Sequence, residues 1–529
     1  MYTFSSKLRT FSFVLMILGI LGLGYGFLTA PKNIQEVELI LAAQNHDGGH
    51  GAGHETADGH ATKDHMNAGE PEKHVTKGEA NANDTTINQQ GHALDNKVTD
   101  TTHSETAQIT TDTTHAAVSS EAHDSTAVAH TTITRPAHQA EAQGTVHSEA
   151  DAHAEHQAHL EHVLHQLQNK PWSALYVACI FFMLISLGVL AFYAIQQVAQ
   201  AGWSPVLFRV MQGITAYLPV GSVIFFIVLI LCGMHFNHIF PWMGEGITDP
   251  NSPNYDKLIA NKSGYLNVPF WLIRAAIFLV GWNLYRYYSR KNCLAQDESN
   301  DNSNYKKNFK LSAGFLVFFI VTESIMSWDW IMSVDPHWFS TLFGWYVFAS
   351  FFVSGITTIC MFTLYLKAKG YLEHVNTSHI HDLAKFMFGI SVFWTYLWFS
   401  QFMLIWYANI PEEVTYFVTR INLYNLPFFG AVVMNFVFPI LILINTDFKR
   451  ITWVLVMAGS VILMGHYIDF FNMIMPSTVG DQWYIGVTEI GSVLFFLGLF
   501  ILVTFTALTK VPLLPKRNPF IEESKHFHY

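Results

Sequence analysis

The chain has 529 residues, of which 50% are hydrophobic and 13% are charged, and its net charge at pH 7 is −11. This composition, with its long apolar runs, excludes an ordinary soluble protein, and the acidic balance gives no indication of nucleic-acid binding. The cysteines stand singly, without a CxxC or CxxCH motif, so the chain by itself carries no iron–sulfur cluster, thiolate zinc site or c-type haem.

Ten apolar runs are each about 20 residues long, the length that crosses a bilayer as an α-helix. They predict an all-α integral membrane protein with ten transmembrane helices. The predicted spans are Arg9–Ala30, Trp172–Gln200, Pro205–Met234, Leu266–Tyr288, Leu311–Ile331, Thr341–Leu366, Leu383–Tyr407, Tyr424–Asn445, Ile451–Ile474 and Tyr484–Leu508.

The first span, within residues 1–30, is predicted to be an uncleaved membrane anchor. A small-residue site at Leu28–Ala30 leaves a cleaved signal peptide as the alternative, but the apolar stretch Phe11–Leu28 is longer than the usual signal-peptide core. The other nine spans fall within residues 169–510, and residues 511–529 form a tail.

Residues 31–168 form a polar insert with eighteen histidines, His46 to His165. With almost no aromatic residues, it is predicted to be disordered, since it buries too little apolar surface to offset its chain entropy. Its last part, Ala150–Gln168, favours a helix that leads into the second span. The irregular histidine spacing favours a solvated linker over a metal-binding segment.

Basic residues in the short loops give the orientation, because Lys and Arg concentrate on the cytoplasmic side. Both termini are therefore predicted to be cytoplasmic and the insert to lie on the opposite, outer side of the membrane. The predicted cytoplasmic residues are Lys7, Arg9, Arg286, Arg290, Lys291, Lys306, Lys307, Lys310, Lys367, Lys369, Lys449, Arg450, Lys510, Lys516 and Arg517, against Lys257, Lys262 and Arg420 on the other side.

Among the ionisable side chains of the predicted spans, six lie where lipid is expected, and all six fall in the outer half of the membrane. A charge near the bilayer centre costs at least about 2.5–3.5 kcal/mol and usually marks a proton, ion or substrate path. The six are Arg274, Glu323, Asp329, His466, Asp469 and Glu489.

Arg274 and Glu323 are predicted to form an ion pair. At about 1.5 Å per residue, both lie about 12 Å from the outer surface on consecutive antiparallel helices. Pairing would relieve the cost of burying both charges. Such a pair either clamps the helices together or orients a proton-active pocket.

A second group is predicted from the last two spans. His466 and Asp469 are three residues apart on one helix face, and Glu489 lies at a matched depth on the next span. Further quinone or proton candidates near the outer surface are Gln401, His235, His238, Asp335 and His337. For these, capping helices and anchoring loops is the alternative, especially at Asp335 and His337.

The chain shows no redox centre of its own. Haem b needs two axial ligands, usually histidines on facing helices at one depth, and only His466 is plainly intramembrane. No P-loop, dinucleotide-binding fingerprint or Ser/His/Asp arrangement is present either. Any redox role therefore needs partner subunits.

Three segments resemble a known family. ESIMSWDWIMSVDPHWFSTLFGWY (Glu323–Tyr346), HDLAKFMFGISVFWTYLWFSQFMLIWYANIPEE (His381–Glu413) and NPFIEESKHFHY (Asn518–Tyr529) are similar to the second large membrane subunit of alternative complex III, a quinol:cytochrome c oxidoreductase. That subunit belongs to the polysulfide-reductase/nitrite-reductase membrane-subunit family. The resemblance covers roughly residues 172–529.

The resemblance implies two four-helix bundles, spans two to five and six to nine, flanked by spans one and ten. It implies a sister membrane subunit, a multi-haem cytochrome c, an iron–sulfur protein and small anchors as partners, with a terminal oxidase as a further candidate. Haem c and iron–sulfur clusters would lie in those partners, and quinol or menaquinol would be oxidised near the outer face. In the sister subunit a His ends the third span and an Asp lies in the fourth. Here His235 or His238 matches that His, but the fourth span has Arg274 and no Asp.

The sequence therefore predicts an integral subunit of a quinol-oxidising respiratory complex, with an outer quinone-like pocket, a proton path, or both. The alternatives are a non-catalytic scaffold of that complex and a stand-alone ion transporter. A transporter would favour polar groups at mid-membrane and broken helices.

Overall fold

The computed structural model describes residues 2–47 and 149–528, and this part of the chain is helical without strands. Ten of its helical segments are long and apolar enough to cross a membrane, which confirms the predicted fold class. The helices are α1 (Ser6–Thr29), α2 (Ile34–Asp47), α3 (Glu149–Val198), α4 (Phe208–Ile214), α5 (Tyr217–Gly233), α6 (Lys257–Lys262), α7 (Val268–Glu298), α8 (Ser303–Trp330), α9 (Phe343–Ala368), α10 (Thr377–Ala408), α11 (Pro411–Asn422), α12 (Asn425–Val432), α13 (Phe438–Leu443), α14 (Thr452–Val479), α15 (Val487–Leu508) and α16 (Ile521–Lys525).

Several helices continue past the apolar runs that predicted them. α3 begins at Glu149 instead of Trp172, and α7 ends at Glu298 instead of Tyr288. An apolar run shows only the part of a helix that crosses the bilayer. The helix itself continues into water wherever the following residues favour helical backbone. The α3 extension is rich in Ala, Glu, Gln and Leu, which are good helix formers.

Helix contacts fall into two rings of four. The first ring, here called bundle 1, consists of α3, α5, α7 and α8. The second ring, called bundle 2, consists of α9, α10, the α12–α13 pair and α14. α15 packs along α1 and α3, outside both rings.

The two bundles meet where α3 crosses α9. α3 is the most enclosed span, with 94% of its most apolar window buried. A Cβ at Gly188 would lie 2.6 Å from the Phe351 carbonyl oxygen, and one at Gly355 would lie 2.8 Å from the Val189 nitrogen. Glycine is therefore required on both sides of this crossing, as is usual where membrane helices approach closely.

The helical domain has two faces. The face that carries the ends of the insert is called the insert face, and the face that carries both chain termini is called the terminus face. On the terminus face, Thr3 bonds Tyr371, and the C-terminal tail bonds Asn376 through the Phe527 carbonyl.

The insert departs from the prediction at its first end. Residues 34–47 are helical rather than disordered, and they pack on the first part of α3 through Val37, Leu160, Val163 and Leu167. The spacing of the three α3 residues places them on one side of the helix, where they form a short apolar stripe. This stripe packs against α2, although the composition of the insert as a whole is polar. The helical prediction for Ala150–Gln168 is confirmed. The predicted disorder and linker role of residues 48–148 lie outside the described residues.

Candidate functional site

The most elaborate buried polar site lies in bundle 2, around the Asp469 carboxylate. Asp469 is 1% exposed and accepts hydrogen bonds from three side chains. The Tyr346 hydroxyl bonds Oδ1, while the Ser350 hydroxyl and the Trp394 Nε1–H bond Oδ2, each at 2.9 Å. These donors satisfy both oxygens, and no Lys or Arg among the described residues lies within ion-pair distance of Asp469.

His466 lies one turn from Asp469 on the same face of α14, as predicted. Its Nδ1 is 3.0 Å from Ser350 Oγ and 3.8 Å from Asp469 Oδ2. The Ser350 hydroxyl has one proton, which it donates either to Asp469 or to His466. When it donates to Asp469, Nδ1–H of His466 donates to Ser350. The serine is therefore able to pass a proton between the imidazole and the carboxylate.

Two side chains of bundle 2 bury further polar atoms. Among the described residues, Nε2 of His466 has no hydrogen-bond partner, and neither do Nδ2 and Oδ1 of Asn435. Both residues are fully buried. Asn435 packs on α14 one residue before His466, where a Cβ at Gly465 would lie 2.2 Å from Asn435 Oδ1. Buried polar groups are normally paired with protein or water, so these atoms call for water.

A break in the helix places Asn435 there. Residues Val433–Val437 form a π-helical turn between α12 and α13. Pro439 has no N–H to donate to the Asn435 carbonyl four residues earlier, and its ring would clash with that carbonyl in an α-helix. The wider turn removes the clash, and such turns are frequent at functional sites.

Unpaired hydroxyls continue toward the terminus face. Oγ of Ser391 and Oγ1 of Thr357 and Thr363 are buried and have no partner among the described residues. Thr357 packs against α14 at Gly459, two turns from His466. Bundle 2 therefore contains polar groups at successive depths, with Asp469 nearest the insert face.

A small cavity separates Asp469 from the insert face. Its lining includes Tyr346, Gln401, Tyr416, Arg420 and Asn472. Its volume of about 10 Å³ is close to the minimum for one water molecule. The Arg420 guanidinium lies over the Tyr416 ring and donates to the Asn472 carbonyl at 3.0 Å. Burial raises the pKa of the Tyr416 phenol, which keeps it protonated.

Bundle 1 holds a true ion pair, but not the predicted one. Arg274 donates from Nε and Nη2 to the two carboxylate oxygens of Asp329, at 2.6 and 2.9 Å. Its guanidinium also lies over the rings of Tyr265 and Phe270. The predicted Arg274–Glu323 pair is wrong because depth was compared at the backbone. The long arginine side chain reaches outward, by more than a turn, to the carboxylate nearer the end of α8.

Glu323 is buried without a cation among the described residues. Its carboxylate accepts hydrogen bonds from Ser324 and Ser327, at 3.3 and 3.4 Å. A Cβ at Gly344 of α9 would lie 3.1 Å from the neighbouring Ser324, so this part of α8 faces bundle 2.

Glu489 does not join His466 and Asp469. It caps its own helix by accepting the Gly486 N–H at 2.8 Å, and it interacts electrostatically with Lys170 of α3. The Lys170 ammonium lies over the Tyr484 ring. The prediction assumed that consecutive spans pack side by side, but α15 packs on α1 and α3.

The remaining candidates lie in the insert-face loops. His337 bonds Asp256 at 2.5 Å, so it anchors a loop. The pKa of Asp256 is lowered, first by the Ile259 N–H and then by His337. Asp335 accepts the Trp338 N–H through its backbone carbonyl in the turn after α8.

His235 and His238 lie at the end of α5, where both are exposed. The His238 ring packs edge-on against His165 of α3, and partial burial, followed by the neighbouring His165 and His235, lowers its pKa.

Sequence reasoning missed the residues that surround Asp469. Tyr346, Ser350, Trp394, Asn435 and Arg420 were not singled out as site residues. A signal was present on α9, where polar residues recur every three or four positions along an otherwise apolar span. These are Tyr346, Ser350, Ser354, Thr357 and Thr358.

Among the described residues, no group of three or more His, Cys, Asp and Glu side chains is arranged to hold a metal ion. No protein-family model matches this chain, and no curated protein matches it.

Proposed function

We propose that this chain is an integral membrane subunit of a respiratory quinol:cytochrome c oxidoreductase complex, in which bundle 2 conducts protons. The observation that carries the proposal is the buried Asp469–Ser350–His466 relay, which continues to unpaired polar groups at greater depth. A structural ion pair would satisfy its charges internally. Here, among the described residues, the carboxylate has no Lys or Arg partner and Nε2 of the imidazole has no hydrogen-bond partner.

In this proposal a proton enters or leaves through the cavity beside Gln401 and Tyr416. The Tyr346 hydroxyl links that cavity to Asp469 Oδ1, and Ser350 links Oδ2 to His466. For inward transfer Asp469 gives its proton to Ser350, whose own proton goes to His466 Nδ1. His466 then releases the proton on Nε2 to water beside Asn435. Asp469 then regains a proton from the cavity through the Tyr346 hydroxyl, which takes up a proton in its turn, and the ring and the Ser350 hydroxyl reorient to restore the starting state.

The segments with family resemblance supply much of both buried sites. Glu323–Tyr346 contributes Asp329 and Tyr346, and His381–Glu413 contributes Trp394 and Gln401. This coincidence supports an assignment to the complex rather than a chance likeness of apolar sequence. The haem c and iron–sulfur groups would belong to partner subunits. The insert face would be periplasmic and the terminus face cytoplasmic, in keeping with the concentration of Lys and Arg there.

Bundle 1 gives less support to a separate quinol pocket in this chain. Arg274 saturates both oxygens of Asp329, so neither is available to a quinol hydroxyl without breaking the pair. His238 contacts the α3 extension instead. We therefore assign the proton role first and treat quinol oxidation as the work of the assembled complex.

The test is Asp469→Asn in the purified complex. The amide keeps the size and most hydrogen bonds but removes the titrating proton. Quinol oxidation, or protons moved per electron, should fall at least several-fold while the subunits still co-purify. Asp481→Asn, on the exposed insert face, is the matched control and should have no effect. If Asp469→Asn and His466→Gln both keep the original turnover and proton stoichiometry, the chain is a scaffold.

One observation favours a second candidate, a stand-alone ion transporter. The π-helical turn at Val433–Val437 beside His466 is the kind of broken helix at mid-membrane that transporters use. The two functions predict different co-purifying proteins. A transporter purifies alone in mild detergent, whereas the proposed subunit brings cytochrome and iron–sulfur partners with it.

A further inference from the structure

A cluster of basic side chains surrounds one groove on the terminus face of bundle 1. Arg286, Arg290 and Lys291 lie along α7, and Lys510 follows the end of α15. The groove has a volume of about 910 Å³. It lies far from Asp469, in the other bundle and at the other face, and the proton relay makes no use of it.

These charges have no acidic partner in the described part of the chain. None of the four basic groups has a carboxylate within ion-pair distance there. Asp297, further along α7, is already paired with Arg209 at 2.5 Å. Nε of Arg286 is buried and has no hydrogen-bond partner among the described residues. Buried guanidinium groups are normally matched by an anion, and phosphate suits their fork of donors.

The groove is apolar beneath the charges. Val220, Leu294, Leu502 and Val503 contribute to its lining. Pro219 also lines a second, apolar groove of about 480 Å³ between α5 and α7. That groove extends along the exposed side chains of Val223 and Ile227, toward the middle of the membrane. The basic groove at the terminus face thus continues into the apolar groove that lies deeper in the membrane.

We propose that this double groove binds one anionic phospholipid. Its phosphate lies among Arg286, Arg290, Lys291 and Lys510, and an acyl chain follows the apolar groove along α5 and α7. Basic pockets between membrane helices are known sites for anionic headgroups. The apolar continuation favours a lipid over a free anion or an acidic protein segment, since neither would fill it.

The experiment uses the delipidated full chain with whatever subunits co-purify. Native mass spectrometry follows titrations with phosphatidylglycerol, with phosphatidylcholine and with inorganic phosphate. The original protein should hold one phosphatidylglycerol more tightly than phosphatidylcholine. The variants R286Q/R290Q and K291Q/K510Q should each weaken phosphatidylglycerol binding about 30-fold, because each lacks two basic groups at the membrane surface. The control K306Q/K307Q neutralises two exposed lysines on α8 and should bind as the original does.

Three results would overturn the proposal. Equal binding of phosphatidylglycerol and phosphatidylcholine by the original protein removes the charge argument. Full displacement of the lipid by inorganic phosphate shows a free-anion site. Equal weakening in the control, or none in K291Q/K510Q, places the lipid elsewhere. Lys291 and Lys510 are exposed, so that variant remains decisive even if R286Q/R290Q does not fold.

Discussion

Breaking the Arg274–Asp329 pair should be among the most destabilising single changes in this protein. The pair is bidentate, and the side chains of Arg274 and Asp329 are 8% and 0% exposed. Removing one partner leaves the other as an uncompensated buried charge, which typically costs about 3–5 kcal/mol of unfolding free energy. Asp329→Asn strands the Arg274 guanidinium between Tyr265 and Phe270, and Arg274→Gln strands the carboxylate.

A double-mutant cycle measures the coupling. The unfolding free energy is obtained from dodecyl-sulfate titration of the purified protein, followed by tryptophan fluorescence. R274Q/D329N should lose at least about 2 kcal/mol less than the sum of the two single changes, as expected for residues in direct contact. Arg274→Lys should fall between the original protein and Arg274→Gln, because lysine keeps the charge but loses the fork.

An exposed pair on the terminus face provides the control. Glu522 accepts a hydrogen bond from Lys525 at 2.6 Å but is 69% exposed, so water screens the pair and Glu522→Gln should leave the unfolding free energy nearly unchanged. If Asp329→Asn costs no more than Glu522→Gln, or if the two changes at the buried pair simply add, the reasoning is refuted.

Three further predictions concern packing, pH and the insert. Gly491→Ala would place a Cβ 2.8 Å from the Gly22 Cα and should loosen α1 from α15, lowering the melting temperature, whereas Gly24→Ala meets nothing within 4 Å and should leave it unchanged. The lowered pKa of Asp256 adds stability that is present above its usual value of 3.8 and lost as pH falls through the folded value. Protease protection of the α6 loop should therefore decline at low pH, and at neutral pH Asp256→Asn should already be less protected. Deleting residues 50–146 removes none of the residues of the α2–α3 contact, so the quinol:cytochrome c activity proposed for the complex should survive within a few-fold, and a well-assembled complex that this deletion alone inactivates would contradict the linker role.

The sequence predicted the spans because bilayer thickness sets the length of an apolar run. It also identified His466 and Asp469, since two ionisable residues three apart inside a span share one helix face. It did not identify Tyr346, Ser350 and Trp394 as their partners. Contacts across helices depend on how each helix is rotated about its axis, and depth along the membrane says nothing about rotation.

Comparing residues by depth alone also explains the two wrong pairings. Arg274 and Glu323 match in depth, but the arginine side chain extends to Asp329, and Glu323 turns toward two serines. Glu489 matches Asp469 in depth, but its helix lies against α1 and α3. Spans that are consecutive in the chain are often neighbours in space, which suggests a pairing. They are not always neighbours, so the order of the spans does not determine the pairing.

Helix α16 lies across the terminus face, and a single serine on it contacts both bundles. Ser524 of α16 accepts the Val206 N–H and donates to the Trp203 carbonyl, both at the start of the third span, while its own carbonyl bonds His379 of α10. One short helix thus joins the two bundles at a second place, in addition to the crossing of α3 and α9. Without α16, the buried His379 ring would lose this acceptor. A chain shortened before α16 would keep all ten spans but lose this link on the terminus face, a difference that a quality-control protease can detect as an exposed start of the third span.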